Sequence, residues 1–368
     1  MYKICQSVGR LVCCIALPLM LPLSLAHAAA VGDALNTPAM IAPQAQHAVL
    51  LDLARAGTRL VAVGERGIVL LSDDNGATWR QAEVPVSVSL TAVQFVDANV
   101  GWAVGHVGVV LKTQDGGEHW AVQLDGRRAA QLELQAATEQ RTVATDQDGA
   151  AMRVQTAERL VSDGPDKPFL ALKFVDGQHG LIVGAYGLAF TTDDGGQTWR
   201  SLMGQIDNPA GSHLYAVARQ GEHWFIAGEQ GYLARSDDGA KSFSALGSPY
   251  AGSFFALQIR DDGTLLAAGL KGNAFISDDL GESFQPAPVP MPISFSDAIR
   301  TDDGQLLLVN QGGALFRTSS QPGALLKPYG KPLGAPVASV VQAADGGLVL
   351  AGFTGLTRLA PSTVNAAE

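Results

Sequence analysis

The sequence predicts an all-β fold: a seven-bladed β-propeller with four-stranded blades and one helical insertion between blades two and three. Three observations lead there. A motif of the form Ser/Thr-x-Asp-x-Gly-x-Thr-Trp recurs five times, as SDDNGATW, TQDGGEHW, TDDGGQTW, SDDGAKSF and SDDLGESF. A Gly-x-x-Gly pair after an apolar run recurs seven times, its first position falling at Gly64, Gly105, Gly184, Gly228, Gly269, Asn310 and Gly352. All spacings are similar except one, which is double. The 42 glycines and 18 prolines follow no collagen-like period and suit a chain dense in hairpins. Self-similarity at about 40 residues, with four short strands per unit, is the pattern of propeller blades.

In chain order, residues 1–28 read as a signal peptide. Lys3 and Arg10 precede the apolar run Leu11 to Leu25, and Ala26-His27-Ala28 supplies a small-x-small cleavage site. All three cysteines, Cys5, Cys13 and Cys14, lie in this segment, so the mature chain is expected to have no disulfide, thiol or cysteine-metal chemistry. The net charge of −10 becomes more negative once Lys3 and Arg10 leave. A net acidic exported chain argues against nucleic acid and anionic membrane as partners. A periplasmic or otherwise exported protein is expected, not spanning a membrane after cleavage.

Residues 29–45 form a leader, 46–126 hold blades one and two, 127–166 the insertion and 167–368 blades three to seven. Each unit reads as an apolar strand (LTAVQFVD), a turn, a second strand (GWAVG), the Gly-x-x-Gly turn, a third strand (VVLKTQ), the Asp motif and a short last strand (HWAVQL). The seventh unit runs out after three strands, and Val31 to Pro43 is expected to supply the fourth, because an open outer edge invites aggregation. Within the insertion, Ala150, Val154, Ala157 and Val161 fall on one helical face, and Gly164-Pro165 stops the helix.

The Asp motif carries structure rather than chemistry. Asp74 and Trp79, Asp115 and Trp120, Asp194 and Trp199, Asp238 and Phe243, and Asp279 and Phe284 sit in five different blades, so they cannot converge on one site. A short carboxylate bonding backbone N–H groups two residues on, with glycine taking positive φ, explains the motif as a hairpin lock. The nearest match to a calcium loop, around Asp146, lacks a ligand at Ala144 and at Gln155. Gly-x-x-Gly joins strand to strand, so no helix N-terminus awaits a phosphate. A type I turn ending in a left-handed glycine accounts for it. No cofactor, metal or catalytic residue is expected.

In a four-stranded blade the Gly-x-x-Gly turns lie on the face from which the insertion rises, and the Asp motifs on the opposite face. The candidate partner-binding face therefore comprises the turn residues Arg66, His106, Tyr186, Glu229 and Lys271, together with Glu65, Gln230 and Phe353. Arg127 and Arg128, the one basic doublet of the mature chain, lie at the base of the insertion.

The Asp motifs resemble the Asp-box (BNR) repeats of sialidase-like propellers. The longer unit, from LTAVQFVD through GWAVGHVGVVLKTQDGGEHW, resembles the photosystem II stability/assembly factor family and its relatives in non-photosynthetic bacteria. The resemblance covers the mature chain outside the leader and insertion. It implies a non-enzymatic exported scaffold, a monomer, that binds a protein partner and assists assembly or stability of a membrane complex, an inner-membrane complex or transporter subunit being the expected partner. Two other readings exist: a sialidase-type glycoside hydrolase, drawing on Arg66, Arg235, Arg300 and Arg317 with Tyr186 or Tyr232 as nucleophile, and a glycan-binding propeller using Tyr186.

Overall fold

The inner strands of seven antiparallel sheets stand side by side in a closed ring. The structure, a computed structural model, describes residues 33–318 and 326–361. The signal-peptide segment lies outside them. Among the described residues six sheets have four strands and the last has three, Val337–Gln342, Leu348–Gly352 and Gly355–Leu359, and each runs in sequence order from the axis outward. The inner strands are Leu50–Ala56, Leu90–Phe95, Phe169–Phe174, Leu214–Gln220, Phe254–Ile259, Phe295–Arg300 and Val337–Gln342; each touches the next, and the last touches the first.

Second strands such as Gly101–Gly105 and Gly180–Gly184 are buried at every residue. Each blade is sandwiched between two others, so both faces of its middle strands are covered, and these strands read as continuous apolar runs rather than alternating ones. The core is correspondingly divided into seven wedges, each shared by two neighbouring blades. In the second wedge Trp102 is fully buried and stacks on Phe174 at 3.7 Å between ring centres. Burying one large apolar side chain of this kind contributes about 1.5–3 kcal/mol.

The insertion is a pair of helices, α1 (Gly126–Val143) and α2 (Gln147–Asp163), each capped at its N-terminus by an aspartate, Asp125 and Asp146. Gly164 ends α2 with φ 83°. Ala150, Val154 and Ala157 are buried as the periodicity requires, whereas Val161 is exposed. Glu133 of α1, itself buried, takes the Arg153 guanidinium of α2 through two 2.9 Å bonds and accepts the Ser201 hydroxyl from the outer strand of blade three. That polar knot fastens the hairpin to the propeller.

Two expectations need correction. The described part of the leader, from Asp33 onward, forms no strand with the last blade. It bonds instead to blade one, through Ala39 N–H to Val84 O and Ser87 N–H to Ala34 O, both at 2.9 Å. Residues 46 and 47 then run past Gly355, where a Cβ would stand 2.2 Å from Gln46 O. Gly67 is approached in the same way by Val86 O, the connection from blade one to blade two. The described part of the leader therefore supplies the ring's missing connection and no strand, and the wedge at the closure joins Leu50, Leu60 and Ala62 of blade one to Val341, Val349 and Ala351 of blade seven. The second correction concerns the Gly-x-x-Gly turns. In blades six and seven only the last glycine has positive φ, Gly313 (75°) and Gly355 (96°), as expected, but in blades one to five both central residues do, as in Arg66 (54°) and Gly67 (74°), and the N–H of Ile68 donates to Glu65 O at 3.0 Å. This is the type I′ geometry that matches strand twist, rather than type I with one left-handed glycine.

A candidate protein-binding face around the Gly-x-x-Gly turns

In every blade the register slips at the second residue of the inner strand, between Leu50 and Asp52 in blade one and between Leu214 and Ala216 in blade four. A bulge re-aims the side chain it carries. The bulged residues are Leu51, Thr91, Leu170, Tyr215, Phe255, Ser296 and Ala338, all at the strand end next to the Gly-x-x-Gly turns. Two of them, Tyr215 and Phe255, are aromatic and half-buried.

Around those two the structure builds a continuous run. Lys167, at the end of the insertion, sits 5.3 Å from the Tyr186 ring. Tyr186, 58% exposed, meets the His213 imidazole edge-on at 4.8 Å. His213 lies 6.2 Å from Tyr215, and Tyr215 lies 5.2 Å from Phe255. The Tyr186 backbone N–H donates to His213 Nδ1 at 2.9 Å, so Nδ1 is an acceptor and the proton resides on Nε2. The run thus crosses blades three, four and five and ends at the foot of the helical hairpin. Rigid aromatic rings beside polar tips are what protein-recognition surfaces use as anchors.

The sequence-predicted residues separate on this face. Arg66, His106, Tyr186 and Lys271 are exposed at the tips of their turns. Glu229 is half-buried and accepts the His213 backbone N–H at 3.3 Å, a clamp between turn and strand that Glu65 repeats with Val49. Arg127 is taken by Asp33 of the leader at 3.0 Å, and Arg128 is exposed on the first turn of α1. Of these residues only Tyr186 belongs to the aromatic run. Lys167, His213, Tyr215 and Phe255 were missed; the available signal was the second letter of LYAVA and FFALQ, where other units carry Leu, Thr, Ser or Ala.

On the opposite face each Asp motif is closed in itself. In blade three Thr192 Oγ1 donates to Asp194 at 2.9 Å and accepts the Gly196 N–H at 2.8 Å, while Asp194 receives both the N–H and the hydroxyl of Thr198. The carboxylate thus bonds four residues on, not two. Asp74 is held down to about 2 by the Thr78 hydroxyl, then by the Thr78 N–H and Ser72; Asp279 is held likewise by Ser283 and Ser277. With both carboxylate oxygens engaged by its own turn, each of these acids is a lock. The sialidase set does not assemble. Arg235 pairs with Asp237 and Glu282, Arg300 with Asp261 and Arg317 with Asp303. Tyr232 donates to Asp207 O, and burial pushes its hydroxyl up, the wrong direction for a nucleophile. Among the described residues no group of three metal-ligating side chains converges, and no helix is long and apolar enough to cross a membrane.

The sequence pattern of the photosynthesis system II assembly factor YCF48 family matches residues 71–149 and 150–350. The photosystem II assembly protein Ycf48 of Synechococcus sp. (strain JA-3-3Ab) is 28% identical over 172 residues, 42% of this chain and 49% of that protein. Its counterpart from strain JA-2-3B'a(2-13) is 29% identical over 148 residues, 36% of this chain and 42% of that protein. The chain thus spans about half the length of the curated relatives it matches. Among solved structures, YCF48 bound to a D1 peptide superposes with a TM-score of 0.61 at 17% identity, covering 87% of this chain and 95% of that one. YCF48 from Cyanidioschyzon merolae gives 0.59 at 15% identity, covering 86% and 97%, and the WD40 propeller domain of Doa1 gives 0.60 at 12%, covering 85% and 92%. Seven blades, five of them carrying an Asp box, matched by one family's pattern along more than half the chain, place this protein in the photosynthesis system II assembly factor YCF48 family.

Proposed function

We propose that this propeller is an exported, non-enzymatic assembly factor that binds a protein segment on its Gly-x-x-Gly face and helps a membrane complex, of photosystem II type or a bacterial counterpart, to assemble. The observation that carries the reading is the aromatic run Tyr186–His213–Tyr215–Phe255 beside the helical hairpin. Kinship supports it: the matched relatives carry the name of an assembly protein, and one similar propeller was solved with a D1 peptide. The candidate contact residues are Tyr186, Tyr215 and Phe255 as anchors, with Arg66, His106, Lys271 and Arg128 around them. In this reading the hairpin walls one side of the bound segment.

Purified protein serves as bait against detergent-solubilised membranes of its host, with Tyr215→Ser and Phe255→Ser variants in parallel. The wild type is expected to retain a membrane-complex subunit, and each variant to weaken retention by about 30-fold, the loss of one central aromatic anchor of about 2 kcal/mol. Equal recovery by wild type and both variants would remove this face from the function.

A further inference from the structure

In three blades the N–H of the left-handed residue in the Gly-x-x-Gly turn is capped by a side chain of the next blade. In blade four the Gln230 N–H donates to Ser253 Oγ at 3.3 Å, and in blade five the Lys271 N–H donates to Ser294 Oγ at 3.0 Å. Ser253 and Ser294 each stand immediately before the inner strand of the following blade, Phe254–Ile259 and Phe295–Arg300. In blade three the same cap comes from His213, immediately before Leu214–Gln220, whose Nδ1 takes the Tyr186 N–H at 2.9 Å. A hydroxyl oxygen keeps its lone pairs across the range around neutrality, whereas an imidazole nitrogen accepts only while it carries no proton. Of these three caps, only the one on Tyr186 can be switched by a proton. The surrounding groups suit such a switch. Glu229 of the same blade holds Oε2 at 3.8 Å from His213 Nε2, so its carboxylate favours the charged ring. Tyr186 and Tyr215 flank the imidazole at 4.8 and 6.2 Å. Lys167, 5.3 Å from the Tyr186 ring, is itself paired with Asp163 and Asp166.

The geometry points to His213 as a proton-operated latch on Tyr186: a proton on Nδ1 sets two donors against each other, frees the Tyr186 turn and loosens the aromatic run. Tyr186 has φ 56°, a backbone conformation unfavourable for a residue with a Cβ, so the cap supports a turn that needs support. The Tyr186 N–H lies at the surface and can turn to water instead, which limits the effect to one net hydrogen bond, about fivefold in an equilibrium. The consequence, a weaker hold on the partner in acid, rests on the protein-binding role proposed for the aromatic run; the latch itself does not.

Hydrogen exchange at the Tyr186 amide of the full chain, corrected for the intrinsic pH dependence of exchange, tests the latch without any partner. From about pH 8 down to about pH 5, the range in which an imidazole changes charge, protection should fall about fivefold. In His213→Ser, which installs the cap that the turns of blades four and five already have, protection should hold throughout. Capture from solubilised membranes at the two ends of that range reads the consequence: wild type should retain its partner about fivefold less well in acid, and His213→Ser equally at both ends. Protection that ignores pH in wild type, or that falls equally in His213→Ser, overturns the latch. Protection that falls while capture does not overturns its control over binding. Capture by neither protein at either pH sinks the protein-binding reading, and the latch then stands or falls on exchange alone.

Discussion

Thr192 illustrates how one hydroxyl sustains a turn. Its oxygen bridges Asp194 and the buried Gly196 N–H. Thr192→Val keeps the shape and removes both bonds, so the Gly196 donor loses its partner at a cost of about 1–3 kcal/mol. The denaturation midpoint should fall with unchanged m-value; an unshifted midpoint would show that the lock is ornamental. Acid should act on the same turns. Carboxyls held near 2 when folded, against 3.8 for a free aspartate, stabilise the fold above 3.8, and that contribution is lost as pH falls from 3.8 through 2. The motif was legible because Ser/Thr, Asp and Gly each had a local task at fixed spacing. Its reach of four residues was not, since that depends on two successive left-handed residues that spacing does not reveal.

At the scale of the element, the helical hairpin hangs on Glu133. Removing one partner of a buried, hydrogen-bonded ion pair costs about 3–5 kcal/mol, because the other charge stays behind. Glu133→Ala leaves the Arg153 guanidinium without its counter-charge, with only the Gln140 amide oxygen to accept from it, while the propeller wedges stay intact. Amide exchange of α1 and α2 should therefore accelerate strongly, with that of the inner strands unchanged; equal acceleration everywhere would mean that hairpin and ring unfold as one unit. The helices themselves could be read from Ala150, Val154 and Ala157, whose spacing needs only one element. Glu133, Arg153 and Ser201 come from three elements, and nothing in their local sequence announces the meeting. The aromatic run was hidden for a related reason: it depends on a bulge, which a strand pattern read at period two passes over.

The whole molecule closes where blades six, seven and one meet, and a small polar cluster sits there. Ser339 Oγ stands 2.8 Å from both Asp52 and Asp297, with one hydroxyl proton for two carboxylates. The remaining donors are backbone N–H groups of Val93 and Leu53 for Asp52, and of Val340 and Ala298 for Asp297. Enclosure by the ring raises both acids, and Asp297 adds to the rise of Asp52. A raised carboxyl holds its proton better in the folded protein than in the unfolded one. Stability therefore falls as pH climbs above 3.8 toward the raised value, and the penalty is complete beyond it. Asp297→Asn should flatten stability between about pH 5 and 8 and make the protein firmer than wild type at the upper end; an unchanged slope would exclude the pair as its source. Seven units could be counted from the sequence because every blade repeats the same pattern. How the circle is joined could not, because the leader matches no repeat and takes its place only through contacts to both ends.

Arg66, Val107, Tyr186, Gln230 and Lys271 share one backbone conformation, with φ between 53° and 59°, yet their side chains run from cationic to aromatic, amide and aliphatic. A left-handed residue is sterically demanding only at its own backbone, and four of these side chains project clear of the ring. The turns therefore behave as interchangeable sockets: the mounting is constant and the fitting is free. Such a scaffold can change what it recognises one letter at a time, by a route that leaves the wedges beneath untouched. Across a family of such rings, partners can diverge much faster than architecture.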